Sequence, residues 1–175
     1  MERHAVLTTI GDDRTGLVDE VTRFVAECGG NLEDSRMVNL HGQFAMVMLV
    51  EGAPETIDCL RARLPELAEA SGLHAQMVPA DFGQRPAAPA VPFRLTTAAM
   101  DHPGLVQSVS HLMREQGVNI ESADTSLHQA PITGAPLFEM EMILSVPAAT
   151  PVAGLREAVA RLCDGLNMDW QLTAL

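Results

Sequence analysis

The sequence predicts an α+β chain made of two ferredoxin-like βαββαβ domains, each an antiparallel sheet with both helices on one face. Three observations predict it. The first third of the chain recurs without a gap 88 positions later; the apolar spacing in each copy alternates between strand and helix periods in the order strand, helix, strand, strand, helix, strand; and a proline-rich stretch separates the copies. Leu7-Thr8-Thr9 returns as Leu95-Thr96-Thr97, and Asp13-x-x-Gly16-Leu17-Val18 returns as Asp101-x-x-Gly104-Leu105-Val106. The match runs on through Val21/Val109, Glu27/Glu115, Gly29/Gly117, Asn31/Asn119 and Glu33/Glu121. Between residues 11 and 33 these identities fall at a turn, on a helix face or at a helix end, so function is to be sought in the loop they frame.

Residues 4–10 alternate as a strand does, and Gly11 to Thr15 form a polar loop. Leu17, Val18, Val21, Phe24, Val25 and Cys28 then lie on one face of a helix, which Gly29-Gly30 stops. A second strand runs from about Asn31 to Leu40, His41-Gly42 makes a tight hairpin, and Phe44 to Glu51 is the third strand. Pro54-Glu55 opens a second helix carrying Ile57, Leu60, Leu64 and Leu67, with Pro65 placed to bend or interrupt it, and Leu73 to Val78 is the last strand. Phe93–Ala98, Leu105–Gln116, Asn119–Leu127, Leu137–Val146, Val152–Leu162 and Met168–Thr173 repeat the series. The expected domains are therefore 1–78 and 93–175, joined by residues 79–92, a stiff extended linker with four prolines and no periodicity.

With 47% hydrophobic and 19% charged residues the chain is expected to be globular, and no apolar run approaches the roughly 18 residues of a membrane span. Met1-Glu2-Arg3-His4 leads straight into a strand pattern, without a basic leader or cleavage site, which reads as cytoplasmic. Cys28, Cys59 and Cys163 are odd in number and unmatched between the copies; this argues against a disulfide framework, and all three are expected to be reduced and buried. The net charge of −12 divides as −7 for residues 1–85 and −5 for residues 86–175, and there is no lysine. Direct nucleic-acid binding relies on clustered cations to displace counterions, and no such cluster exists. Any effect on transcription would pass through another protein.

The third strands differ in one respect. Aligning Phe44 with Phe138 sets Ala45, Val47 and Leu49 against Glu139, Glu141 and Ile143 on the helix-free face, while Phe44, Met46 and Met48 match Phe138, Met140 and Met142 on the helix side. Val6 against Arg94 adds to the contrast. The more apolar open face of the first repeat is expected to be covered by the other domain or by a second chain, as in a homodimer.

In each copy the first helix begins after Asp13-Arg14-Thr15-Gly16 or Asp101-His102-Pro103-Gly104, where first-turn N–H groups lack a partner inside the helix. A glycine there lets a ligand approach the backbone, and the helix dipole favours a carboxylate. The pattern suits a small zwitterion, whose ammonium Asp13 or Asp101 and the amide of Asn31 or Asn119 could receive. Equally, an Asp before a helix is a common N-cap, Pro103 is at home in a first turn, and Asn after Gly often just makes a turn.

The βαββαβ pattern, with D-R-x-G-[LIV]-[LIV] opening the first helix and G-x-N-[LIV] opening the second strand, resembles the ACT domain, a small regulatory module that usually binds amino acids between paired domains. Gly11-x-Asp13-Arg14-x-Gly16, Cys28-Gly29-x-Asn31-Leu32-Glu33-Asp34-Ser35-Arg36, Leu40-x-Gly42-x-Phe44 and Met48-Leu49 are similar to the first repeat of the glycine cleavage system transcriptional repressor family. The hairpin from His128 to Pro136 also resembles that family, whereas Thr15 departs from its usual proline. The resemblance implies a regulator without a DNA-binding domain, responsive to glycine and acting on a transcriptional activator protein. It implies ligand contacts from Asp12, Asp13, Arg14, Thr15, Gly16 and Leu17 with Asn31 and Leu32. In the second copy the corresponding positions are Met100, Asp101, His102, Pro103, Gly104 and Leu105 with Asn119 and Ile120.

No nucleophile elbow, phosphate loop, H-E-x-x-H or C-x-x-C is present, so no catalytic residues and no cofactor are expected. The six histidines are scattered, and the adjacent acids Asp12-Asp13 and Glu33-Asp34 read as solvated caps and turns rather than metal ligands. Glu33 to Arg36 fits a partner contact or an exposed edge kept soluble by charge. The alternating methionines 46, 48, 140 and 142 read as core filling. A tandem module that binds another small amino acid, or none, and acts on a metabolic enzyme is the alternative reading.

Overall fold

The computed structural model describes residues 3–80, 89–129 and 134–175. The chain divides into two compact units, Met1–Arg85 and Pro86–Leu175. The first contains β1 (Arg3–Asp12), α1 (Leu17–Glu27), β2 (Asn31–Leu40), β3 (Gln43–Gly52), α2 (Pro54–Ser71) and β4 (His74–Ala80). The second contains β5 (Ala90–Met100), α3 (Leu105–Glu115), β6 (Asn119–Gln129), β7 (Pro136–Pro147), α4 (Val152–Leu166) and β8 (Asp169–Ala174). The sheets run in the orders β2-β3-β1-β4 and β6-β7-β5-β8, with every pairing antiparallel. These are two ferredoxin-like units, as the periodicities require.

Period-two alternation fixes which strand face meets the helices. Ala5, Leu7 and Thr9 of β1 and Phe44, Met46, Met48 and Val50 of β3 are buried, and α1 presses Leu17, Val21, Phe24 and Val25 onto them. Leu95, Met140, Met142 and Leu144 repeat this layer under Leu105, Val109 and Met113 of α3. Thr9 and Thr97 sit at the same place in the two units, buried, and neither hydroxyl has a hydrogen-bond partner among the described residues.

Several details depart from the sequence expectation. Gly11 and Asp12 continue β1 because they pair with Phe44 and Gln43, so the loop is shorter than expected. Helix α2 passes through Pro65 without a break. Pro65 and Arg61 are both exposed, so the carbonyl that loses its N–H partner can turn to water. Strands β4 and β5 extend into the expected linker, to Ala80 and from Ala90; residues 81–88 of that linker, and residues 130–133 of the long hairpin, lie outside the described residues.

The cysteine expectation is corrected. Cys28, at the C-cap of α1, is bonded to Cys59 of α2 across a Cα–Cα distance of 5.8 Å, and only Cys163 is free. Counting cysteines could not find this pair, because the two are neighbours only after the helices pack on one sheet face. Arg63 reinforces the junction: its guanidinium lies 5.7 Å from the Phe24 ring centroid and reaches Glu27 at 3.1 Å and Glu66 at 2.9 Å. Burial, with the charge of Asp164 adding to it, pushes the Cys163 thiol up to about 11, so this cysteine is an unreactive core residue.

Candidate functional site

Both first helices open in the same way. The N-cap is a glycine in the left-handed region, Gly16 at φ 97° and Gly104 at φ 99°, and neither helix has a side-chain cap. A Cβ at either position would strain the backbone. An aspartate N-cap, the structural alternative for this loop, is therefore not what occurs. Gly16 and Gly104 accept the first intrahelical bonds, from the N–H groups of Glu20 and Ser108. The earlier N–H groups of each first turn are left without a capping side chain.

The two loops differ in how far their polar groups are already committed. In the first, Asp12 accepts from Gln43 Nε2 at 2.7 Å and Asp13 from Asn39 Nδ2 at 2.6 Å, while the Asp13 N–H donates to Gly42 O at 2.8 Å. Arg14 pairs with both carboxylate oxygens of Glu20, at 2.6 and 2.7 Å, and donates to Ser71 O at the end of α2 at 3.2 Å. The hydrogen bond from Arg14 holds the Glu20 carboxyl below its usual range. In the second loop the Asp101 N–H donates to Pro136 O at 3.0 Å, but its carboxylate has no hydrogen bond or ion pair among the described residues. His102 Nδ1 lies 3.1 Å from Pro103 O. Helix α1 carries Asp19 and Glu20 in its first turn, whereas α3 carries no acid there.

Sequence reasoning missed Asn39, Gln43 and Ser71. The first two were within reach, since an antiparallel hairpin must lie beside the end of the strand it pairs with; Ser71 required the packing of α2.

The asparagines stand elsewhere. Asn31 is in register with Glu51, and Glu51 with His4 at the start of β1, whereas the loop follows Asp12 at the other end of that strand. Eight residues of strand separate the two ends, about 26 Å at 3.3 Å per residue. Asn119 is in register with Ser145 and so with Pro92, again eight residues before Met100. Leu32 and Ile120 stay with their asparagines, one pairing row inward. Within one unit, then, the loop and the asparagine do not converge on a common ligand.

At the asparagine end each edge strand carries a bulge, between Leu32 and Asp34 and between Ile120 and Ser122, and the extra residue is a glutamate. Glu121 is bonded to Ser145 and to Asn119, whose Nδ2 lies at 2.7 Å, and these bonds hold its carboxyl below the usual range. Glu33 instead meets His4 Nε2 at 3.2 Å, with Glu51 on the same nitrogen at 3.6 Å. Sequence reasoning paired Glu33 with Asp34 and missed this trio. A carboxyl with a lowered folded-state pKa adds stability above its unfolded value of about 4.3, and the gain is lost as pH falls through the folded pKa. The melting-temperature difference between the native chain and Glu121→Gln is accordingly expected to be small at pH 6 and to vanish towards pH 3, as a melting series over that range would read. A constant difference would mean that the charge of Glu121 is not involved.

Residues 3–78 match the family model of the ACT domain. The first unit is an ACT domain. It is 29% identical over 166 residues to the glycine cleavage system transcriptional repressor of Escherichia coli, an alignment spanning 95% of this chain and 87% of the relative. A UPF0237 protein of Methanopyrus kandleri is 39% identical over 71 residues, 39% of this chain and 79% of the relative. Among solved structures, a protein of unknown function from Galdieria sulphuraria superposes with a TM-score of 0.81 at 24% identity, covering 100% of this chain and 99% of the other. A protein provisionally assigned as a glycine cleavage system transcriptional repressor superposes with a TM-score of 0.76 at 24% identity, covering 100% and 98%. The structural likenesses establish the fold of both units. The sequence likenesses place the chain beside regulators, and no helix among the described residues is long and apolar enough to cross a membrane.

Proposed function

We propose that this ACT-domain protein is a non-catalytic sensor of a small amino acid, most simply glycine, that regulates expression of glycine cleavage genes through a protein partner. The observation that carries the reading is the twin helix start: an uncapped first turn behind a left-handed glycine, in both units, as a carboxylate site requires. The similarity over 95% of the chain to a protein named for glycine cleavage repression supports the amino acid and the biological role. The absence of lysine and the net charge of −12 support action through a protein rather than by direct DNA contact.

The second loop is the better carboxylate site. Its helix brings no first-turn acid to repel the ligand, and the Asp101 carboxylate remains available for an ammonium group, whereas Asp13 and Arg14 are already held by Asn39 and Glu20. Because the asparagine stands about 26 Å away in the same sheet, no single small ligand spans loop and asparagine within one unit.

Thermal unfolding of the full chain against the twenty amino acids tests the proposal. A ligand at 100 times its Kd adds about 2.7 kcal/mol, a rise of roughly 5–10 °C in Tm for this chain length. A response confined to glycine and its near neighbours serine and alanine is expected. Silence across all twenty would instead favour a tandem module that binds none, a reading to which the internally satisfied first loop gives some support.

A further inference from the structure

We propose that the helix-free face of the second sheet docks a cationic segment of a partner protein, one bearing arginine or lysine. This deepens the partner half of the functional reading and is independent of which amino acid, if any, is sensed.

The strand register arranges acids on this face in two adjacent rows. One row runs Asp124, Glu141, Thr96, Gln171 across β6, β7, β5 and β8; the next runs Ser126, Glu139, Ala98, Asp169. Each row carries two carboxylates. In the first row they stand on directly paired residues, an arrangement that costs stability unless a cation offsets it. Arg94 reaches Glu141 at 3.5 Å and the His128 ring reaches Glu139 at 3.5 Å, but Asp124 and Asp169 have no cationic partner among the described residues. Small side chains at Thr96 and Ala98 leave a depression of about 560 Å³ over the middle of the face. Such a floor accepts the aliphatic stem of an arginine or lysine while the acids hold its head.

The first unit shows that the fold does not require these acids. At the positions of Glu139, Glu141, Asp124 and Asp169 it has Ala45, Val47, Arg36 and His74. The helix-side residues between them are kept, Met46 and Met48 matching Met140 and Met142. On strands β3 and β7 the change from apolar to acidic thus falls on the face that the core leaves free. The charge also selects the occupant. Nucleic acid is repelled, and a second copy of this chain, with 11 arginines, no lysine and 23 acids, is a poor source of cations.

The test uses the full chain, isotopically labelled, and the peptide acetyl-(Arg-Ala)4-amide in low salt. Backbone amide shifts are expected to cluster on Thr96, Asp124, Glu139, Glu141 and Gln171. The combined variant Asp124→Asn, Glu139→Gln, Glu141→Gln, Asp169→Asn is expected to weaken binding at least tenfold. A control of equal charge change, Glu55→Gln, Glu69→Gln, Glu115→Gln, Asp164→Asn, is expected to stay within twofold of the native chain. Equal weakening in both variants, shifts elsewhere on the molecule, or no binding at millimolar peptide would each overturn the proposal. Amino-acid thermal shifts measured on the face variant separate the two readings, since sensing should survive in it.

Discussion

Reduction of the Cys28–Cys59 bond is expected to lower the melting temperature of the first unit by roughly 8–32 °C while leaving the second unit where it was. The bond closes a loop across a sequence separation of 31 residues, and cross-linking a loop of that length restricts the unfolded chain by about 2–4 kcal/mol. A unit of this size loses about 4–8 °C per kcal/mol. The second unit contains one cysteine, Cys163, which is buried and free, so it supplies an internal reference. Thiol labelling of the denatured chain provides the companion count: one reactive thiol without reductant and three with it. Three thiols without reductant would show that the bond does not form in solution, and the melting difference should then be absent as well.

Gly104→Leu is expected to reduce amino-acid affinity by about tenfold to a hundredfold, the worth of one hydrogen bond to a charged group, and Gly16→Leu to reduce it less. A Cβ built on Gly104 meets nothing within 4 Å, and one on Gly16 meets only Glu20 Oε1 at 3.6 Å. The cost to the fold is therefore the strain of the left-handed backbone, about 1–2 kcal/mol, rather than a clash with the core. Calorimetry on both variants decides between the loops. Affinity unchanged in Gly104→Leu would remove the second loop from the site, and affinity unchanged in both would remove the helix starts altogether.

What the sequence could disclose follows from the range of the interactions involved. Alternation in Phe44 to Val50 and the 3.6-residue spacing of Leu17 to Cys28 report which face meets a core, and both units are built as those patterns require except that Val18 and its counterpart Val106, expected on the apolar helix face, are exposed. The polarity contrast between Val47 and Glu141 was legible for the same reason. The cystine was not, because its two members approach only through helix packing. The candidate site was half legible: the glycines and aspartates announce a helix start, but nothing local in Asn31 or Asn119 says that it lies at the far end of the sheet. That separation appears only when each strand is laid against its neighbour. Commitments such as Asp13 to Asn39 depend on the same register, and they are what distinguish two loops that look alike as text.

The opposed polarity of the two open faces also bears on how the chain folds. Tandem copies of one topology can exchange strands during folding, and such misassembly is a characteristic failure of repeat proteins. Were β7 to take the place of β3 beside β1, Glu141 would face Thr8 next to Val6 and Val78 and opposite Arg36, and Glu139 would face Ile10 in the row of His74. Arg94 would at the same moment lose its partner. The exchange would redistribute charge on the open faces while the methionines of the core, Met46 and Met48 or Met140 and Met142, stayed on the helix side, so any preference of each half for its own strand lies in the open faces.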